Sequence, residues 1–160
     1  MKRKDFIFRK KIVSLLLLAC LPVWLAGCSW FGPRVGVDRI TLDVAPKANN
    51  DAPIAVDFVA VKDLGLLKQL SGMSARQWFE QREQLQRDYR EQLVVWSLEL
   101  VPGQLLDNQD FPLGGQKAQG LLVFADYASP GPHRLRLYAQ SSAWLKFDSR
   151  DISLFKGKDG

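Results

Sequence analysis

Cysteine and histidine supply most protein nucleophiles and bases, and this chain of 160 residues has two of the first and one of the second. Cys28 closes the run Leu25-Ala26-Gly27-Cys28. Ala26 and Gly27 are small enough for an extended chain to enter a peptidase site. Cys28 carries the one side chain whose thiolate is strongly nucleophilic near neutral pH. His133 stands alone between Pro132 and Arg134, with no second histidine to work beside it, and reads as a structural residue. Soft and borderline metals therefore lack a ligand set. Serine catalysis lacks a Gly-x-Ser-x-Gly turn. Leu113-Gly114-Gly115-Gln116 is not followed by the Lys-Ser/Thr of a phosphate loop. Asp107 and Asp110 lack the dense spacing of a calcium loop, and Asp148-Ser149-Arg150-Asp151 is a turn. The expectation is a protein without catalytic residues, metal or cofactor.

What surrounds Cys28 gives that thiol a role. Lys2, Arg3, Lys4, Arg9, Lys10 and Lys11 precede an apolar run from Ile12 to Leu25, which is interrupted by Pro22. Basic start, apolar stretch and small residues before a cut form a removable export signal. The apolar run is shorter than the ~20 residues that a spanning helix needs. Leu25-Ala26-Gly27-Cys28 resembles the lipobox of bacterial lipoproteins. The resemblance implies removal of residues 1–27 and acylation of Cys28 by a diacylglyceryl thioether and an N-acyl chain. Leu17-Leu18-Ala19-Cys20 is a weaker match, because it leaves only Ile12 to Ala19 as the apolar run. Ser29 is not the aspartate that resembles an inner-membrane retention signal, so sorting to the outer membrane is expected.

Removing 1–27 changes the bulk chemistry. The segment carries six of the 22 basic and one of the 17 acidic residues, leaving sixteen of each. The net charge of +5 belongs to the signal, and the remainder is neutral, which argues against a nucleic-acid partner. Cys20 leaves with the signal and lipid consumes Cys28, so the rest holds no thiol.

The elements after Cys28 are mostly short strands. Residues 28–36 read as a lipidated start and a Gly/Pro-broken tether, and 37–160 as one periplasmic domain. Val37–Ala45 alternates, with Ile40, Leu42 and Val44 on one face. A polar loop bounded by Pro46 and Pro53 follows. Ile54–Val61 then alternates, with Ile54, Val56, Phe58 and Ala60 on one face and Asp57 opposite. Asp63–Leu70 predicts a short helix or tight connection. Ser74 and Gln77 form a capping box opening a helix over Ala75–Gln92, whose stripe of Trp78, Leu85 and Tyr89 predicts packing on a sheet. Leu93–Val101 predicts a more buried strand, ended by Pro102-Gly103, and Leu105–Gly115 a loop. Further strands are expected over Ala118–Tyr127, His133–Gln140, Ala143–Phe147 and Asp151–Phe155. Short strands at this spacing predict a two-sheet β-sandwich with one or two added helices.

The ordered set of features resembles the outer-membrane lipoprotein family (TssJ) of the bacterial type VI secretion system. The resemblance is carried by the lipobox, by Ile40–Ala45 and its Asn/Asp/Pro loop, and by Pro53–Asp63. It continues through Trp78-Phe79 with Leu85 and Asp88, Glu99–Gly103, and Gly120–Tyr127. It implies a transthyretin-like sandwich facing the periplasm from the outer membrane. It also implies binding of the periplasmic part of an inner-membrane component (TssM-like), and no small-molecule substrate. Carried onto this sequence, the partner loop is Lys47, Ala48, Asn49, Asn50, Asp51 and Ala52. The competing reading from the residues is an envelope lipoprotein that chaperones or assembles an outer-membrane complex, with the Trp78/Leu85/Tyr89 stripe as its client surface.

Overall fold

The computed structural model describes residues 32–138 and 140–155. The signal segment, Cys28, Ser29 and the start of the tether lie outside the described residues. Among the described residues eight strands form two four-stranded sheets. The first sheet has the order β4-β1-β7-β8 and comprises β1 (Arg39–Val44), β4 (Leu105–Asn108), β7 (Ser142–Phe147) and β8 (Ile152–Phe155). The second has the order β3-β2-β5-β6 and comprises β2 (Ile54–Val61), β3 (Leu93–Leu100), β5 (Gly120–Ala125) and β6 (Arg134–Leu137). All neighbours are antiparallel except β1 and β7, which run parallel with Ile40 opposite Ala143 and Leu42 opposite Leu145.

The alternation of β1 is realised as expected. Ile40, Leu42 and Val44 point between the sheets and meet Val56, Phe58, Leu121, Val123, Leu145 and Phe147. The second sheet is covered on its other side as well. There Val59, Val61, Leu122 and Phe124 pack against two helices, α1 (Leu64–Ser71) and α2 (Ala75–Asp88). The Asp63 carboxylate caps α1 by accepting the Leu66 amide at 2.8 Å. Ser74 and Gln77 form the expected capping box at the start of α2. Trp78 and Leu85 are buried in this layer and Tyr89 packs against it, so the apolar stripe is core and not a free client surface.

Four expectations change. Leu93–Val101 was expected to be more buried; β3 is instead a sheet edge, with residues 94–99 partly or fully exposed. Leu105–Gly115 was expected to be loop throughout; Leu105–Asn108 pairs with β1 as β4. The helix expected to reach Gln92 stops at Asp88, because Leu93 must turn to pair with Val61. The Tyr89 carbonyl accepts both the Gln92 and Leu93 amides in that turn. The tether is also shorter than residues 28–36. Arg34 already bridges Lys117, and Val35 and Val37 are buried.

Strand directions give the domain two distinct ends. At one lie the entering chain at Pro33–Asp38, the ends of β2 and β6, and the start of β5. At the other lie four connections: 45–53, 101–104, 126–133 and 148–151. These are called here the entry end and the loop end. Helix α1 runs from the entry end toward the loop end and α2 returns, as contacts of Met73 with Arg134 and of Ala75 with Pro132 require.

Candidate functional site: the loop end

The loop between β1 and β2 is rigidly built. Its centre, Ala48–Asp51, turns with Asn49, Asn50 and Asp51 at φ of 50°, 57° and 62°. Left-handed backbone costs an L-residue roughly 1–2 kcal/mol, and Asn and Asp are the types that bear it best. Three such residues in succession persist only where the surroundings over-determine them. Asn49 does that here. Its side-chain amide donates to the Pro53 carbonyl at 3.0 Å, and its side-chain oxygen accepts the Ala128 amide at 2.8 Å. Its own backbone amide donates to the Ser149 carbonyl at 3.1 Å. One buried asparagine thus ties three of the four connections together.

Of the six loop residues expected from the family resemblance, Ala48 and Asn49 face inward and are buried. Lys47, Asn50, Asp51 and Ala52 are exposed. The first pair holds the loop's shape and the other four present its surface.

Beside this loop lies a cluster that sequence reading did not assemble. His133 is buried, with φ of 42°. Its Nδ1 lies 2.9 Å from the Asp151 carboxylate and its Nε2 lies 2.8 Å from the Ser129 carbonyl. Both ring nitrogens face acceptors, and the ring tilts against Tyr127 at 4.9 Å between centroids. The Tyr127 hydroxyl lies 3.0 Å from the carbonyls of both Asp148 and Asp151. The Ser129 hydroxyl donates to the Arg150 carbonyl at 2.8 Å. Gly131 has φ of +157°, and a Cβ there would sit 2.6 Å from the imidazole. A cavity of about 220 Å³ lies between this loop and the start of α2, lined in part by Arg76, Asp126 and His133. These contacts match the structural role expected of His133. Ser129-Pro130-Gly131-Pro132 is a turn signal in the sequence; Asp151, eighteen residues along the chain from His133, carries none. Among the described residues no group of three or more His, Cys, Asp or Glu side chains converges on a point.

Burial pushes the Tyr127 phenol pKa well above its ordinary 10.0, and the Asp151 and Asp148 charges push in the same direction. The folded chain therefore keeps a proton that the unfolded chain releases. Stability is fully present below the unfolded value and is lost as pH rises above about 10, by up to ~1.4 kcal/mol per pH unit. Tyr127→Phe should remove that contribution. Urea midpoints measured between about pH 9 and pH 11 are expected to fall more steeply for the parent than for the variant.

Three solved structures share this architecture. The Serratia marcescens Lip protein, a membrane-bound component of the type VI secretion system, superimposes with a TM-score of 0.55 at 15% identity, over 77% of this chain and 99% of Lip. The type VI lipoprotein TssJ1 from Pseudomonas aeruginosa gives 0.54 at 17% identity, over 80% of this chain and all of TssJ1. The fold is that of the type VI secretion lipoproteins. A chain of a type VI membrane complex gives 0.55 at 14% identity, over 77% of this chain and all of that one. No protein-family profile matches the sequence, and no curated protein is similar to it. The likeness thus lies in the fold. It agrees with the family to which the ordered sequence features point.

Proposed function

We propose that the chain is a lipid-anchored component of a type VI secretion membrane complex. Acylated Cys28 holds it to the outer membrane, Ser29 permits that sorting, and the loop end binds the periplasmic domain of a TssM-like inner-membrane protein. The domain's polarity carries this reading. The chain enters at one end, and the rigid loop with its exposed Lys47, Asn50, Asp51 and Ala52 lies at the other. An anchor at Cys28 therefore leaves the loop end facing away from the lipid. Among the described residues no helix is long and apolar enough to cross a membrane. A preformed loop also suits binding, because its ordering entropy has been met on folding and is not charged again at the interface.

The test is binding of the purified mature protein to the periplasmic domain of the inner-membrane component encoded with it. Binding at micromolar concentration or tighter is expected. Lys47→Glu combined with Asp51→Asn inverts one charge and removes another while keeping a residue that tolerates left-handed backbone at position 51. That pair is expected to weaken binding about tenfold or more, with an unchanged melting temperature. A folded parent that does not bind would refute the proposal. Equal binding by the variant would move the contact off this loop.

A further inference from the structure

The entry end carries a feature that the loop-end function leaves unused. Arg34 and Lys117 are paired across an isolated antiparallel bridge, so two like charges sit side by side. Such pairs are destabilising unless something opposite in charge offsets them. Lys62 lines the same shallow concavity of about 450 Å³, together with Gly114, Gly115 and Gln116, and no carboxylate lines it. All three cations are exposed, and among the described residues none is in an ion pair. Of the carboxylates nearby, Asp63 is engaged by the Leu66 amide, and Asp38 lies behind Gly114 and is not part of the lining. Arg34 is held in place by donating from Nη1 to the Gly115 carbonyl at 2.9 Å. Leu64 and Tyr138, at the same end, are 64% and 68% exposed. Cations beside exposed apolar and aromatic side chains suit a membrane interface.

The chain outside the described domain says which membrane. Arg34 is six chain steps from Cys28, and an extended chain spans at most ~3.3–3.6 Å per residue. The Arg34 backbone therefore cannot lie more than about 22 Å from that of the anchored cysteine. We infer that Arg34, Lys62 and Lys117 form a docking surface for the anionic headgroups of the bilayer that holds the anchor, fixing the domain with its loop end outward. This inference rests on the acylation of Cys28. Each cation near an anionic leaflet raises partitioning about fivefold, so three raise it on the order of 100-fold. That is too weak to recruit the domain alone and sufficient to orient one already tethered.

The acylated protein is reconstituted into vesicles of phosphatidylcholine, with or without about one third phosphatidylglycerol. Gln116→Cys places a single free thiol in the patch and Ala52→Cys places one at the loop end, since the mature chain has no other. With a neutral maleimide, Gln116→Cys is expected to label about fivefold more slowly or less on the anionic vesicles, and Ala52→Cys equally on both. Adding Lys62→Gln and Lys117→Gln should remove the difference, as should high salt. Acylated protein that labels at equal rates on both vesicles, or a difference that survives those substitutions, would overturn the inference alone. An intact mass without acyl chains would overturn the anchor and this inference together.

Discussion

Cys28→Ser is expected to abolish acyl-chain incorporation and to keep the protein from fractionating with the outer membrane. A serine hydroxyl is not the thiolate that lipid transfer requires. The effect should be close to complete. Each buried CH₂ contributes about 0.8 kcal/mol and one chain gives only marginal attachment, so a triacylated residue is held firmly and an unacylated one not at all. The thiol-free domain has no second site of the same kind. Palmitate labelling and density-gradient fractionation measure the outcome. Continued labelling of the variant would move acylation to another residue, with Cys20 the first to examine. Secretion should fail, while the purified domain still binds the proposed partner in solution, because the contacts described at the loop end come from residues 44–151.

The second large effect lies in the layer between the second sheet and α2. Asp57, on β2, points away from the sandwich core and is 1% exposed. Its carboxylate accepts the Trp78 indole N–H at 2.8 Å and pairs with Arg82 at 3.1 Å. Trp78 in turn stacks on Phe124 with centroids 5.0 Å apart, and the Arg82 guanidinium lies 4.9 Å from the Phe79 ring. Asp57→Ala leaves a buried indole donor without a partner and a guanidinium beside an apolar wall. Breaking a buried pair from one side costs about 3–5 kcal/mol, and Arg82, a little over one third exposed, places this case near 3. That is a large share of the ~5–15 kcal/mol available to a domain of this size. Asp57→Asn, which can still accept from the indole, should cost only about 1 kcal/mol. Urea unfolding followed by tryptophan fluorescence separates the two. Equal losses would show that the charge, and not the indole hydrogen bond, holds the helix.

Asp57 also shows where sequence reading stops. The alternation of β2 was visible, and so was the face carrying Ile54, Val56, Phe58 and Ala60. An aspartate on the opposite face then reads as solvated. What period two cannot register is that α1 and α2 return over that face, turning a half-buried strand into one buried on both sides. Trp78 was legible as a packing residue, but its polar atom and the carboxylate that meets it lie 21 residues apart. Strand β4 was missed for a local reason. Leu105-Leu106-Asp107-Asn108 is a four-residue edge strand with Leu105 66% exposed, and its only neighbour is β1, so no alternation marks it. At the loop end, Asn49-Asn50-Asp51 was readable as turn chemistry. The inward turn of Asn49 was not, because its partners Ala128 and Ser149 come from connections far along the chain. Capping at Ser74 needed only residues three apart and was fully readable.

Strand β1 sits between β4 and β7, with the entering chain at its first residue and the proposed partner loop just after its last. In the proposed role, the lipid and the partner would pull on those two points. Tension then enters along β1 and is shared at its far end with Ala128 and Ser149 through Asn49. Because the pull is parallel to β1, its hydrogen bonds to both neighbours are loaded together in shear, and none can be unzipped singly from an end. The domain behaves as a clamp around one short load-bearing strand. Mechanical strength is then set by β1 and its two neighbours, whatever the thermodynamic stability of the whole domain.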